Sequence, residues 1–184
     1  FESIEACDVE ADVIIDFFSV FAIDDLLVYS VEKQIPVVLC TTGLSDVQLE
    51  KAREVATKVA VLRSANMSLG INTLMELLKK AAQIFAPAGF DMEIVEKHHN
   101  QKLDAPSGTA LALAEAMNEA MDEAYSYTFD RSKERKKREK SEIGISAVRG
   151  GTIVGEHEII FAGQDEVIEI KHTAYSRAIF GKGA

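Results

Sequence analysis

Apolar residues follow two different rhythms along this chain, and the change of rhythm constrains the fold more than any other feature. Early on they come in short unbroken runs: Val13-Ile14-Ile15 leading into Asp16-Phe17-Phe18, then Pro36 to Cys40, then Val59 to Leu62. Late in the chain they alternate with polar residues: Ile143 to Val148, His157 to Ala162, and Val167 to His172. Unbroken runs suit strands covered on both faces of a parallel sheet, whereas alternation suits strands with one face open to water. Between the early runs, Ala22 to Lys33 carries Ile23, Leu26, Leu27, Ser30 and Val31 at helical spacing. Ser45 with Gln48 three residues on forms a capping-box pattern that opens a second helix. Strand, helix, strand, helix, strand with short connections predicts parallel βαβ units.

The middle of the chain continues this order. Ser68 to Phe85 reads as a long amphipathic helix ended by Pro87 and Gly89, Asp91 to Glu96 as a half-buried strand, and Ser107 to Ala120 as an Ala-rich helix. The three late runs, with turns at Gly150-Gly151 and Gly163-Gln164-Asp165, predict an antiparallel meander, and Ile179-Phe180 the start of another strand. The switch from parallel α/β to antiparallel β predicts a boundary near Asn66 to Ser68, giving residues 1–66 and 67–184 as separate parts.

Charge narrows the partners. The 184 residues carry a net charge of −10 and a pI near 4.9, so the surface as a whole attracts neither nucleic acid nor an anionic membrane. An anionic substrate then requires a local basic pocket. Asp130 to Lys140 is the exception, with seven Lys/Arg against three Asp/Glu, and reads as a solvated, mobile loop. Two cysteines, Cys7 and Cys40, make no disulfide framework and point to a reducing, cytoplasmic setting. The apolar stretch from Val13 to Ile23 is cut by Asp16 and is too short to span a bilayer. With Phe1 first and no signal peptide, a processed or truncated product is expected.

The densest polar cluster is Glu96-Lys97-His98-His99-Asn100-Gln101-Lys102-Leu103-Asp104-Ala105-Pro106-Ser107-Gly108-Thr109-Ala110. Two histidines and a lysine follow a strand, and a turn with Pro106 in the first helical turn and Ser107 or Asp104 as cap opens a helix. The first amides of a helix lack internal partners and attract anions, most of all where a glycine such as Gly108 admits close approach. His98 and His99 exchange protons near neutral pH and Lys102 adds a positive charge. These residues suit a small carboxylate and a proton transfer. Adjacent histidines on a strand point to opposite faces, so they chelate a metal poorly, and no metal is expected. A surface loop followed by an ordinary capped helix remains the competing reading. A second cluster lies at strand ends, where open parallel sheets bind ligands: Cys40-Thr41-Thr42-Gly43 and Ser64-Ala65-Asn66-Met67. A third feature, Ser176-Arg177, offers a guanidinium suited to a carboxylate or simply a solvated charge.

The string from Glu96 to Ala110 closely resembles the signature of the 4-hydroxy-tetrahydrodipicolinate reductase (dihydrodipicolinate reductase) family of lysine biosynthesis. Asp16-Phe17, Thr41-Thr42-Gly43, Ala65-Asn66-Met67-Ser68, Arg149, Gly155-Glu156-His157 and Ser176-Arg177 resemble further landmarks of that family in the same order. The resemblance implies an α/β fold: a partial Rossmann-like parallel sheet, then an α+β substrate and oligomerisation domain with a mixed, largely antiparallel sheet. It implies His98 as general acid/base and Lys102 as proton donor to the reduced carbon. His99, Lys102, Gly108 and Thr109 would hold a dicarboxylate; Cys40, Thr41, Thr42, Ser64, Ala65, Asn66 and Met67 would touch NADH or NADPH. It implies hydride transfer to a cyclic imine-type acceptor by a homo-oligomer, tetrameric by analogy. The family's glycine-rich phosphate loop has no counterpart here, Cys40 stands where glycine is usual, and Met67 where phenylalanine is common. The chain therefore reads as a fragment of such a reductase. Two alternatives stay open: a non-catalytic dicarboxylate-binding oligomeric remnant, and another Rossmann-type oxidoreductase such as an aspartate dehydrogenase relative.

Overall fold

A computed structural model describes residues 3–64, 66–122 and 124–184. It divides into two compact units, Phe1–Met67 with Ala184, and Ser68–Gly183.

The first unit is a three-stranded parallel sheet in the order β1 (Ile14–Asp16), β2 (Val37–Leu39), β3 (Val61–Arg63). A 3-10 turn at Val20–Ala22 leads into α1 (Ile23–Lys33), and α2 (Asp46–Val55) joins β2 to β3. The capping box forms as its residue types predict: Ser45 accepts from the Gln48 amide while the Gln48 side chain accepts from the Ser45 N–H. Register places Ile14, Val37 and Val61 in one row and Ile15, Val38 and Leu62 in the next. The first row packs with Ile23, Leu26 and Leu27 of α1 and Ala52 and Val55 of α2. The second row faces the other way, and Ile15 and Leu62 are exposed.

The second unit is a five-stranded sheet under two helices. Its elements are α3 (Leu69–Phe85), β4 (Asp91–His98), α4 (Gly108–Glu119), β5 (Ser126–Thr128), β6 (Glu142–Arg149), β7 (Gly155–Ala162), β8 (Val167–Ala174) and α5 (Ala178–Gly183). The sheet is mixed, with strand order β5-β6-β4-β7-β8. β6 pairs parallel with both β5 and β4, while β4, β7 and β8 pair antiparallel. The expected meander is thus corrected: β6 and β7 follow one another in sequence, yet β4 lies between them. Alternation reports only that one face of a strand is wet, and it is blind to which neighbour the strand takes. A second correction concerns Ile179-Phe180, which lie in α5 rather than in a strand.

Strict alternation along β4 builds the core. Met92 and Ile94 point toward the helices, as do Ile143 and Ile145 of β6 and Ile159 and Phe161 of β7, all aligned by register. They meet Leu74, Leu78 and Ala82 of α3 and Ala110, Leu113, Ala114 and Met117 of α4. Ala110 and Ala114 of α4 are fully buried in this core.

On the opposite face, charges fold the basic segment back. Arg138 donates to Asp91 and Glu93 at 2.8 and 3.0 Å and to the carbonyls of Met92 and Glu142. Arg131 reaches Glu93 at 2.5 Å and also pairs with the buried Glu142. The expectation of a wholly solvated loop is corrected at these two arginines: three acidic side chains at the sheet need cations, and a buried carboxylate needs them most. Gly144 makes room for the arrangement, since a Cβ there would overlap the Glu93 carboxylate. Gly144→Ala is expected to lose roughly 1–3 kcal/mol in urea unfolding through overpacking. Gly150→Ala, which would meet nothing within 4 Å, should stay within about 0.5 kcal/mol of the parent.

Candidate active site

The alternation that fills the core carries on past it. After Met92 and Ile94, the next two residues of β4 on the helix side are Glu96 and His98, both buried. Register sets Glu96 beside His157 of β7, which in turn faces His172 of β8; His98 faces Arg149 of β6. Four strands thus deliver one carboxylate, three imidazoles and a guanidinium to two adjacent cross-strand rows. The start of α4 closes over them, with Ser107 as N-cap.

Glu96 is the hub. It is 0 % exposed. His98 Nδ1 lies 2.5 Å from its Oε2, and the Ser107 N–H donates to its Oε1 at 3.0 Å. Arg149 clamps both oxygens, at 2.8 and 2.7 Å. Burial opposes ionisation of Glu96, but the bonds from His98, Arg149 and Ser107 outweigh it and hold its pKa down to about 2. Arg149 also donates to the Asp104 carbonyl at 2.7 Å and so ties the turn before α4 to the sheet.

His157 sits behind Ser107. Its Nε2 is 3.1 Å from Ser107 Oγ, which also caps the Ala110 amide, and its ring meets the His98 ring edge-on at 5.2 Å. Burial first, and the charge of His98 next, push its pKa down to about 4, so the ring is neutral at pH 7. Ser107 Oγ thus links the Ala110 amide, from which it accepts, to the His157 ring. Burial also lowers the pKa of His172.

The helix start is not bare, which corrects the sequence expectation of an open anion site. Asp104 turns back so that its carboxylate takes the Lys102 ammonium at 2.7 Å and the Gly108 N–H. Burial disfavours its charge, but these contacts hold its carboxyl below the ordinary value. Pro106 is likewise corrected: it precedes the N-cap instead of entering the first turn, and the Ala105–Pro106 peptide is cis. Gly108 and Thr109 are the first two residues of α4. His99 lies just past the end of β4, its Nε2 3.2 Å from the guanidinium of Arg177. His98 and His99 therefore diverge, one inward to Glu96 and one outward to Arg177.

In the first unit, Cys40, Thr41 and Thr42 follow β2 and Ser64 follows β3, all at the carboxyl ends of the sheet. The Cys40 amide donates to the Asp16 carbonyl, and the Ser64 amide to the Leu39 carbonyl. Burial, and then the charge of Asp16, raise the Cys40 pKa, so it is held as a thiol. Gly43 adopts φ +78° and turns the chain away after Thr42. Asn66 is buried and Met67 partly so; Ala65 falls outside the described residues. Among the described residues, Asp16 Oδ2 and Thr41 Oγ1 are buried without a hydrogen-bond partner. A donor-bearing polar group of a nucleotide fits such strand ends, so the residues suit a dinucleotide. The sequence marks Asp16 as the end of a strand and, with Phe17, as a family landmark; neither signals its unpaired oxygen. The role of Glu96 was legible in principle, because residues i and i+2 of a strand share a face. Among the described residues, no group of three or more His, Cys, Asp or Glu could hold a metal ion.

Both acidic effects have the same sign. His157 binds protons more readily unfolded than folded, and so does Glu96. Stability is therefore expected to fall as pH drops from about 6.5 to about 4 through His157, and again between about 4.5 and about 2 through Glu96. Urea midpoints across this range should show both losses, and His157→Asn should shrink the upper one to the part that the buried His172 contributes.

Comparison with known proteins places the chain. Models of dihydrodipicolinate reductase match it in two pieces, the N-terminus over residues 1–67 and the C-terminus over residues 70–184. The 4-hydroxy-tetrahydrodipicolinate reductase of Clostridium novyi (strain NT) is 53% identical over all of this chain, which spans 72% of that relative. That of Caldanaerobacter subterraneus subsp. tengcongensis is 51% identical over 95% of this chain and 69% of the relative. Among solved structures, the dipicolinate-bound dihydrodipicolinate reductase from Paenisporosarcina sp. TG-14 superposes with a TM-score of 0.67 at 28% identity, covering 94% of this chain and 65% of that one. The order of elements, the buried cluster at the end of β4 and these matches agree, and the chain belongs to the dihydrodipicolinate reductase family.

Proposed function

We propose that the protein reduces 4-hydroxy-tetrahydrodipicolinate to tetrahydrodipicolinate with a nicotinamide cofactor, NADH or NADPH, in the diaminopimelate route to lysine. The observation that carries this reading is the placement of His98 and Lys102 at the α4 start, His98 held on Glu96 and Lys102 on Asp104. Asp104 already sits on Lys102 and the Gly108 amide, which supports a carboxylate subsite there. A substrate dicarboxylate takes the same place when Asp104 swings out, and the dipicolinate in the Paenisporosarcina relative is a ligand of that class.

The residues divide by task. Lys102, the amides of Gly108 and Thr109, and His99 with its neighbour Arg177 hold the two carboxylates. His98 acts as general acid/base through Nε2; the 4-hydroxyl group leaves as water, the hydride adds to one ring carbon, and Lys102 delivers the accompanying proton to the ring atom that then carries the electron pair. Residues 1–66 form the cofactor part, where Cys40, Thr41, Thr42, Ser64, Ala65, Asn66 and Met67 would line the nicotinamide nucleotide. When bound, that cofactor supplies the hydride. Residues 67–184 form the substrate and oligomerisation part. Electron density arriving on the ring needs a positive pocket and a ready proton, and Lys102 with His98 provides both. We further propose a cytoplasmic homo-oligomer, a tetramer by analogy with the family. Among the described residues no helix is long and apolar enough to cross a membrane.

The test uses the full-length protein with freshly generated substrate, following NADH and NADPH oxidation separately. His98→Gln is expected to lower kcat by roughly 10²- to 10⁴-fold, the usual reach of a general acid/base. Lys102→Met should lower kcat/KM by a similar factor and weaken pyridine-2,6-dicarboxylate binding. Absence of turnover with either cofactor, or undiminished turnover in the double variant, would overturn the proposal.

A further inference from the structure

We infer that Glu96 is a positioning residue: its single carboxylate both orients the imidazole of His98 and seats the first turn of α4. This rests on the function proposed above, in which His98 handles a proton and α4 holds the substrate. Each oxygen of Glu96 has its own task. Oε2 faces His98 Nδ1 at 2.5 Å, and Oε1 takes the Ser107 N–H at 3.0 Å. Arg149 bridges the two with its paired nitrogens, so the carboxylate cannot rotate without breaking both bonds at once. A carboxylate only accepts hydrogen bonds. His98 therefore keeps a hydrogen on Nδ1 in every protonation state, and its exchangeable site is Nε2. Gly155 completes the arrangement: a Cβ there would come 3.1 Å from Nε2, so glycine leaves that nitrogen uncrowded.

Stability alone gives a poor account of this group. A buried ion pair repays its desolvation only when well bonded, and apolar substitutes of equal size often do as well. What an apolar substitute cannot do is select one histidine tautomer and, through the same atoms, fix the distance from that ring to the helix start. Ser107 extends the coupling, since its backbone rests on Glu96 while its hydroxyl spans Ala110 and His157.

The experiment is 15N NMR of the full-length protein under conditions where His98 is neutral, with steady-state kinetics of Glu96→Gln and Glu96→Asp. Unsubstituted protein should show His98 as the Nδ1–H tautomer; a dominant Nε2–H form overturns the inference even if neither variant folds. In Glu96→Gln the side-chain amide can donate to Nδ1, so the Nε2–H form should appear. Its kcat should fall roughly tenfold to a hundredfold, the range typical of a lost orienting partner. Glu96→Asp, which keeps an acceptor, should retain the Nδ1–H form and recover part of the rate. An unchanged tautomer and an unchanged kcat in Glu96→Gln would overturn the inference while leaving the proposed reaction standing. Failure of the unsubstituted enzyme to turn over would strike the proposed reaction and leave the tautomer measurement to decide the role of Glu96.

Discussion

A carboxylate shut away from water governs the functional end of the second unit. Charge without solvent is tolerated only when every lone pair is used, and Glu96 meets that condition with an imidazole, a guanidinium and a backbone amide. The partners come from β4 itself, from β6 and from the N-cap of α4. Meeting the electrostatic requirement of one side chain therefore fixes the mutual position of three elements, one of them, β6, distant in sequence. The neutral His157 adds a fourth, from β7, through Ser107.

Core and site share one construction. Along β4 the same face that presents Met92 and Ile94 to the helices presents Glu96 and His98 at its end. Apolar side chains stop where α4 begins, and polar ones start there. Rigid packing thus runs directly into the chemistry, with no intervening loop to loosen it. His99 and Lys102 lie beyond the strand, on the turn that Arg149 and Asp104 hold in place.

Much of this was legible in the amino-acid order. Unbroken Val/Ile runs with helical spacing between them are enough for the parallel sheet of the first unit, and the Ser45–Gln48 capping box marks a helix start to the residue. The string from Glu96 to Ala110 marks the site because its residue types are chemically loaded and its length is improbable by chance. Less was legible where pairing is decided at long range. Nothing local in Ile143 to Val148 says that it lies parallel to β4 instead of antiparallel to β7. Nothing local in Asp104 says that its carboxylate covers the helix start that the flanking residues seem built to leave open. The arginines at 131 and 138 look like any others in a basic run; only the acidic side chains of β4 and β6, brought near by the fold, single them out. Ile179-Phe180 read as strand because two apolar residues carry too little pattern to distinguish the alternatives.

The placement of β4 at the middle of its sheet has one more consequence. Its amides and carbonyls are bonded on both sides, to β6 and to β7. Hydrogen exchange along the middle of β4 is then expected to be slower than on the turn that follows it, where His99 and Lys102 lie. Glu96 and His98 thus belong to the strand with partners on both sides, while His99 and Lys102 stand on the segment that only begins where those partners end.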